Sequence, residues 1–161
     1  MREEFGVARS SCVCAKCSQF CEFMPGCLIP SDLARMIPAG ANPYEWAENN
    51  LLASPGYVVM SQETGEVFRI GTLVPAVKTD GSCKFFVAGL CAIHENAPFG
   101  CAFFGCGCDE SVAGPGCAAI YDAIRKPDEL YFRLWAHLAY KGLIQPGPEV
   151  LRQRWQNQQK G

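Results

Sequence analysis

The sequence predicts a small α+β fold that is mainly helical, with short strands and with cysteine-rich loops organised by a metal. The 161 residues are 49% hydrophobic and 19% charged, which suits one globular domain with its own core. Helix start and stop signals recur along the chain, whereas only a few short apolar runs are typical of strands. Eleven cysteines are far more than a chain of this length usually contains. We therefore treat residues 1–161 as a single domain.

Two short helices are predicted after the first cysteines. The first spans residues 31–36 and begins at a Ser-Asp pair that can cap it. An Asn-Pro pair opens the second, because asparagine is a good capping residue and proline suits the first helical position. This helix should run from 43 to about 52, where a Ser-Pro-Gly sequence at 54–56 is expected to break it.

A small sheet is predicted in the middle of the chain. The apolar runs at 57–60 and 67–70 are typical of short strands, and residues 62–65 suit a hairpin turn between them. Residues 73–74 are expected to extend the sheet. Residues 81–108 are rich in Gly, Cys and Phe and have no helical period, so we expect short strands and loops around ligands there.

The C-terminal part, residues 109–161, is predicted to be helical. One helix should span about 115–126, and another should start near residue 128 and end at Gly142. The tail after Pro148 is polar and is either a last helix or a frayed end. The apolar stripe of the second of these helices is formed by Leu130, Tyr131, Leu134, Trp135 and Leu138.

Charge and hydropathy exclude some classes of function. A net charge of -2 argues against a nucleic-acid binder held by electrostatic attraction. No apolar run approaches the roughly 20 residues of a membrane span. The first residues are charged and lack the apolar stretch of a secretory signal, so we expect a cytoplasmic protein if residue 1 is the natural start. A protein partner remains an open alternative.

The cysteines are better explained by metal ligation than by disulfides. Their number is odd, no export signal is visible, and the cytosol keeps thiols reduced. They form two groups that are separated by residues 28–82, which contain no cysteine. Thiolate ligands select zinc, copper(I) or iron–sulfur clusters rather than calcium or magnesium. The expected cofactor is therefore zinc or an iron–sulfur cluster, the latter of the [4Fe–4S] type.

The first group has a spacing suited to metal binding. Cys14 and Cys17 form a Cys-x-x-Cys turn, in which the backbone folds back and directs amides at the sulfurs. Cys21 returns to the same face if the chain is helical there. A tetrahedral zinc site or one cluster needs four ligands, so at least one more should come from the second group. The candidate ligands in that group are Cys83, Cys91, Cys101 and Cys106.

The other cysteines and the histidines are weaker candidates. Cys108 is too close to Cys106 for both to be assigned. Cys12 and Cys27 are interpreted as bystanders, and Cys117 as a buried apolar thiol on a helix face. His94 could ligate zinc or pair with a thiolate, and His137 is expected at the edge of the core.

The N-terminal motif resembles the first signature of a known family. Cys14, Cys17 and Cys21 match the first, second and last cysteines of a Cys-x-x-Cys-x-x-Cys-Cys signature, with Phe20 in place of the third. The segment 25–32 is similar to a Pro-Gly-x-Leu-x-Pro segment of one branch. On these motifs the chain resembles the YkgJ-like, or CxxCxxCC, cysteine-cluster family, which is described as zinc- or iron-chelating.

The second signature of that family is also matched in order. Cys83-Lys-Phe-Phe, Cys91-Ala-Ile-His94 and the Pro-Phe-Gly-Cys sequence that ends at Cys101 correspond to it. The basic residues usual beside that proline and after that cysteine are Ala97 and Ala102 here. The resemblance covers residues 12–108. It implies a metal-binding domain without an assigned reaction.

Three classes of function remain open. The first is a metal- or cluster-binding protein for metal handling, sensing or electron transfer. The second is a metal-dependent enzyme related to the cluster part of protein methylases, which would need an open coordination position. The third is a structural zinc domain that serves partner binding.

Overall fold

The computed structural model describes residues 18, 21–22, 25–60, 64–103 and 113–158. These residues contain six α-helices, one 3₁₀ turn and two antiparallel sheets of two strands each, so the predicted α+β class is confirmed. In chain order the elements are α1 (Pro30–Met36), α2 (Pro43–Asn50), β1 (Leu51–Met60), β2 (Val67–Pro75), β3 (Phe86–Val87), β4 (Leu90–Cys91), a 3₁₀ turn (His94–Asn96), α3 (Phe99–Ala102), α4 (Ala113–Ile124), α5 (Leu130–Tyr140) and α6 (Pro148–Gln158).

Both short N-terminal helices exist, and their caps differ. Asn42 caps α2 as predicted, with its side-chain oxygen accepting the Tyr44 N–H at 2.9 Å. Helix α1 begins at Pro30, one residue before the predicted start, and its N-cap residue is Ile29 rather than Ser31. Asp32 instead lies in the first turn and its carboxylate accepts the Ile29 N–H at 2.8 Å.

The prediction that the Ser-Pro-Gly sequence at 54–56 breaks a helix is wrong. Helix α2 already ends at Asn50, and the chain continues directly into β1. Residues 54–56 form a bulge inside this strand, where the pairing register shifts between Ser54 and Tyr57. Gly56 has a φ of 92°, and its backbone lies against the carbonyl of Ile70, so only glycine fits.

The long hairpin of β1 and β2 forms one side of the apolar core. Its strands pair from Leu51 with Pro75 to Met60 with Val67, which confirms the pairing of the two predicted strands and the extension of the sheet to residues 73–74. Residues 62 and 63 of the predicted turn lie outside the described residues. Helix α5 packs on this hairpin, and Trp135 Nε1 donates to the Ser54 carbonyl at 2.9 Å. The buried apolar residues form one cluster that includes residues from α1, both strands, α3, α4 and α5.

The cysteine-rich segment contains a short helix that its composition did not predict. Strands β3 and β4 pair through a tight turn at Ala88 and Gly89, both of which have positive φ. Helix α3 follows after the 3₁₀ turn. A helix of four residues is too short to show a hydrophobic period, so it could not be recognised from pattern.

The C-terminal helices follow the prediction with small shifts. Helix α4 spans 113–124 rather than 115–126, and α5 starts at 130 rather than near 128. Gly142 has a φ of 73° and ends α5 as expected. Residues 148–158 are helical. In the described part of the chain, no helix has both the length and the apolar character needed to cross a bilayer. The predicted stripe of α5 is confirmed, with Tyr131, Leu134 and Leu138 fully buried and Leu130 and Trp135 half-buried.

Candidate metal centre

Four of the seven predicted ligands lie among the described residues. Cys21, Cys83, Cys91 and Cys101 all carry thiols. The other three, Cys14, Cys17 and Cys106, lie outside the described residues, as do Cys12, Phe20 and Cys108. Ser18, Cys21 and Glu22 have helical backbone, in line with the helical turn expected around Cys21.

Cys83 is a buried residue that opens a backbone turn, in which the Phe86 N–H donates to the Cys83 carbonyl at 2.9 Å. The residue is 5% exposed and forms an isolated bridge with Val77. Burial raises the pKa of the Cys83 thiol, and the nearby backbone N–H groups of Phe85 and Phe86 act against this rise. Backbone N–H groups near a sulfur favour its thiolate form, which is the form that binds a metal.

A backbone hydrogen bond joins the first cysteine group to the second. The Cys83 N–H donates to the Cys21 carbonyl at 2.7 Å. The two residues are therefore neighbours although more than 60 residues separate them in sequence. This contact provides the link between the groups that a shared metal site requires.

The pairing of β3 with β4 brings Cys91 close to the turn that begins at Cys83. It lies in β4 directly opposite Phe86, whose N–H donates to the Cys83 carbonyl at 2.9 Å. The Ala92 N–H donates to the Phe85 carbonyl at 2.8 Å and continues this pairing. A charge on the half-buried Cys91 raises the pKa of the Cys83 thiol, so the two sulfurs lie within electrostatic range.

Cys101 is held on helix α3 against the segment that precedes α1. The Gly26 N–H donates to Cys101 Sγ at 3.2 Å. The Gly100 N–H donates to the Cys27 carbonyl at 2.8 Å. The two backbones touch so closely that a Cβ built on Gly26 would lie 2.1 Å from the Gly100 carbonyl carbon. Glycine at both positions lets this contact form.

The pKa of Cys101 is influenced by the other three cysteines. Burial raises its pKa well above the usual range, and charges on Cys21, Cys83 and Cys91 raise it further, whereas the hydrogen bond from Gly26 lowers it. These three thiols come from three separate segments, and a charge on each acts electrostatically on Cys101. A cation at this place would reverse their mutual repulsion and favour all four thiolates.

The described side chains do not by themselves form a complete set of metal ligands. Within the described ranges, no three His, Cys, Asp or Glu side chains are close enough to hold one ion. The described thiols thus lie within electrostatic range of one another, while the candidates Cys14, Cys17 and Cys106 lie outside the described residues.

The cysteines interpreted as bystanders have different surroundings. Cys27 is 3% exposed and belongs to the apolar core. Cys117 is half-buried on α4, and burial alone raises its pKa. His94 is exposed in the 3₁₀ turn. His137 lies at the edge of the core as expected, and its Nε2 is 2.6 Å from a Glu48 carboxylate oxygen.

Sequence reasoning missed the importance of Asp32, which it treated as a simple cap. Its side chain is fully buried and accepts the N–H groups of Ile29 and of Phe99, the first residue of α3. A proline followed by an acidic residue within one helical turn indicates a helix start. Nothing in that pattern indicates the second bond, which spans 67 residues.

Comparison with known proteins gives no match, because no family model, no curated protein and no solved structure matches this chain. The resemblance to the YkgJ-like family rests on the cysteine motifs alone and stays a hypothesis.

Proposed function

We propose that this protein binds zinc or an iron–sulfur cluster through cysteine thiolates from both cysteine groups. The observation that carries the proposal is the backbone contact between the two cysteine groups, in which the Cys83 N–H donates to the Cys21 carbonyl at 2.7 Å and the Gly26 N–H donates to Cys101 Sγ at 3.2 Å. Cys91 lies opposite Phe86, which is three residues after Cys83, in the strand pair β3–β4. Burial and the neighbouring cysteines raise the pKa of the Cys83 and Cys101 thiols, and a bound cation would favour their thiolate forms. Cys14, Cys17 and Cys106 would supply the remaining ligands.

The donors suit zinc and iron–sulfur clusters equally. Zinc prefers four tetrahedral ligands, and clusters are commonly held by four cysteines. An amide donor such as the Gly26 N–H on Cys101 Sγ stabilises a thiolate around either group. A cluster would supply electron transfer or sensing, and zinc would supply folding energy. We place the protein in the reducing cytoplasm and in the YkgJ-like family as part of the same proposal.

Strictly anaerobic purification with metal and sulfide analysis tests the proposal. We expect stoichiometric zinc without sulfide, or iron with matching sulfide and a broad visible absorption. Zinc alone would eliminate the cluster, and iron with sulfide would eliminate simple structural zinc. A fully reduced protein that contains neither metal, and that takes up neither on reconstitution, would refute the proposal.

Cysteine variants show which thiols hold the metal. Cys83→Ser and Cys101→Ser should each lower the metal content strongly, because serine is a poor ligand for soft metals. Cys117→Ser is the matched control, since burial also raises the pKa of the half-buried Cys117 thiol, but no other cysteine contributes to that shift. Equal metal content in all three variants would contradict the assignment.

A further inference from the structure

Asp32 joins two distant parts of the backbone beside Cys101. One carboxylate oxygen, Oδ2, accepts the Ile29 N–H at 2.8 Å and the Phe99 N–H at 2.9 Å. The other oxygen, Oδ1, accepts from the Arg35 guanidinium at 2.5 Å. The Asp32 side chain is 0% exposed. A carboxylate buried this completely is costly unless such charge-assisted bonds compensate it.

The two amides belong to the segments that form the surroundings of the Cys101 sulfur. Ile29 ends the stretch that begins near Gly26, whose N–H donates to Cys101 Sγ. Phe99 opens helix α3, which contains Cys101 two residues later. Asp32 therefore holds residues 26–29, which contain the Gly26 donor, next to helix α3, which contains Cys101.

We propose that Asp32 is a positioning residue of the metal centre, which it serves by holding the Cys101 turn against residues 26–29. This inference rests on the proposed function. Asp32 reaches the metal through Cys101 and is not itself a ligand. Residues that orient ligands in this way typically change metal affinity by about 10- to 100-fold when they are altered.

A purely structural role is the alternative, and Tyr131 provides the matched control. Tyr131 is 1% exposed. Its hydroxyl donates to the Leu28 carbonyl at 2.8 Å and accepts the Leu73 N–H at 2.9 Å. It ties the same segment to β2 rather than to the Cys101 turn. Tyr131→Phe should therefore lower stability without altering the metal centre.

The experiment titrates cobalt(II) into the reduced, metal-free full chain under anaerobic conditions. The readouts are the thiolate-to-cobalt charge-transfer band, the intensity of the d–d bands, and the Kd from chelator competition. Asp32→Asn keeps the volume and one acceptor oxygen but loses the charge and the acceptor for Arg35. We expect its cobalt Kd to rise about tenfold or more, with altered d–d bands. Tyr131→Phe should have the wild-type Kd and spectrum.

The possible failures are distinguishable. A wild-type chain that shows no charge-transfer band, and that takes up neither zinc nor an iron–sulfur cluster on anaerobic reconstitution, would overturn both the metal centre and the role of Asp32. If the chain takes up a cluster but shows no cobalt band, the cluster content of each variant replaces the cobalt Kd as the readout. A wild-type band together with an unchanged Kd and spectrum in Asp32→Asn would overturn the role of Asp32 alone. If Asp32→Asn does not fold, Asp32→Ser is measured in the same comparison, because its hydroxyl can accept one of the two amides.

Discussion

At the scale of single residues, Cys83 and Cys101 have raised thiol pKa values, in both cases chiefly because they are buried. In the metal-free protein these thiols therefore carry protons near neutral pH. A metal binds the thiolate, so binding must release those protons. Metal affinity should then depend on pH in a predictable direction.

We predict that the affinity of the metal-free protein for zinc or cobalt rises with pH until the pH passes the raised pKa values. For each proton that is released on binding, Kd should fall about tenfold per pH unit, because the unbound form holds that proton and the bound form does not. Chelator competition at several pH values measures the slope, and Cys117→Ser should have the same slope. A pH-independent Kd near neutrality would contradict this prediction.

The buried hydroxyl of Tyr131 gives a second prediction at this scale. Tyr131→Phe leaves the Leu28 carbonyl and the Leu73 N–H without this partner. A buried polar group that loses its hydrogen bond costs about 1–3 kcal/mol. Denaturant unfolding should show a loss of stability of this size. An unchanged free energy of unfolding would mean that other groups or water replace the hydroxyl.

At the scale of elements, the contact between Gly26 and Gly100 brings α3 to the segment before α1. A methyl group on Gly26 would overlap the Gly100 carbonyl carbon at 2.1 Å. Gly26→Ala should therefore push α3 away and weaken the hydrogen bond to Cys101. We expect a loss of stability of about 1–3 kcal/mol, which is typical of overpacking, together with lower metal content.

The control for this variant is Gly114→Ala in helix α4. A Cβ at Gly114 meets nothing within 4 Å, and the position is exposed. Alanine is favoured over glycine in a helix by up to about 1 kcal/mol, so this variant should be neutral or slightly more stable. Equal destabilisation by Gly26→Ala and Gly114→Ala would show that the close contact has no special importance.

Elements with local signals were predictable from sequence, and elements that depend on distant partners were not. The Asn42 cap and the stop at Gly142 are local, and both are confirmed. The bulge at 54–56 depends on pairing with β2, so the same Ser-Pro-Gly sequence was misinterpreted as a helix break. Helix α3 depends on Asp32, which lies 67 residues away from its first amide.

The same distinction applies to the candidate site. Cys83, Cys91 and Cys101 were candidates because they belong to the second cysteine group and match the second signature of the family that the chain resembles, and both of these signals are local in sequence. The Gly26 amide on Cys101 and the carboxylate of Asp32 depend on tertiary contacts that one sequence does not reveal.

At the scale of the whole molecule, the proposed metal links parts of the chain that are far apart in sequence. Structural zinc contributes on the order of 10–16 kcal/mol of apparent binding free energy. A typical domain is stable by only about 5–15 kcal/mol. The metal can therefore supply as much stability as the rest of the fold.

We predict that removal of the metal, or the pair Cys14→Ser and Cys17→Ser, unfolds much of residues 10–30 and 81–108. Hydrogen exchange should become fast at β3, β4 and α3, while α5 and its contacts with β2 keep their protection longest, since that packing is apolar. Circular dichroism gives the melting temperature with and without metal. A melting temperature that does not change would refute this prediction.

X-ray absorption at the metal edge of the anaerobically purified full-length chain tests the central claim most directly. The account predicts a first coordination shell dominated by sulfur at about 2.3 Å, with additional iron neighbours if the group is a cluster. A shell of nitrogen and oxygen at about 2.0–2.1 Å, without sulfur, would contradict it.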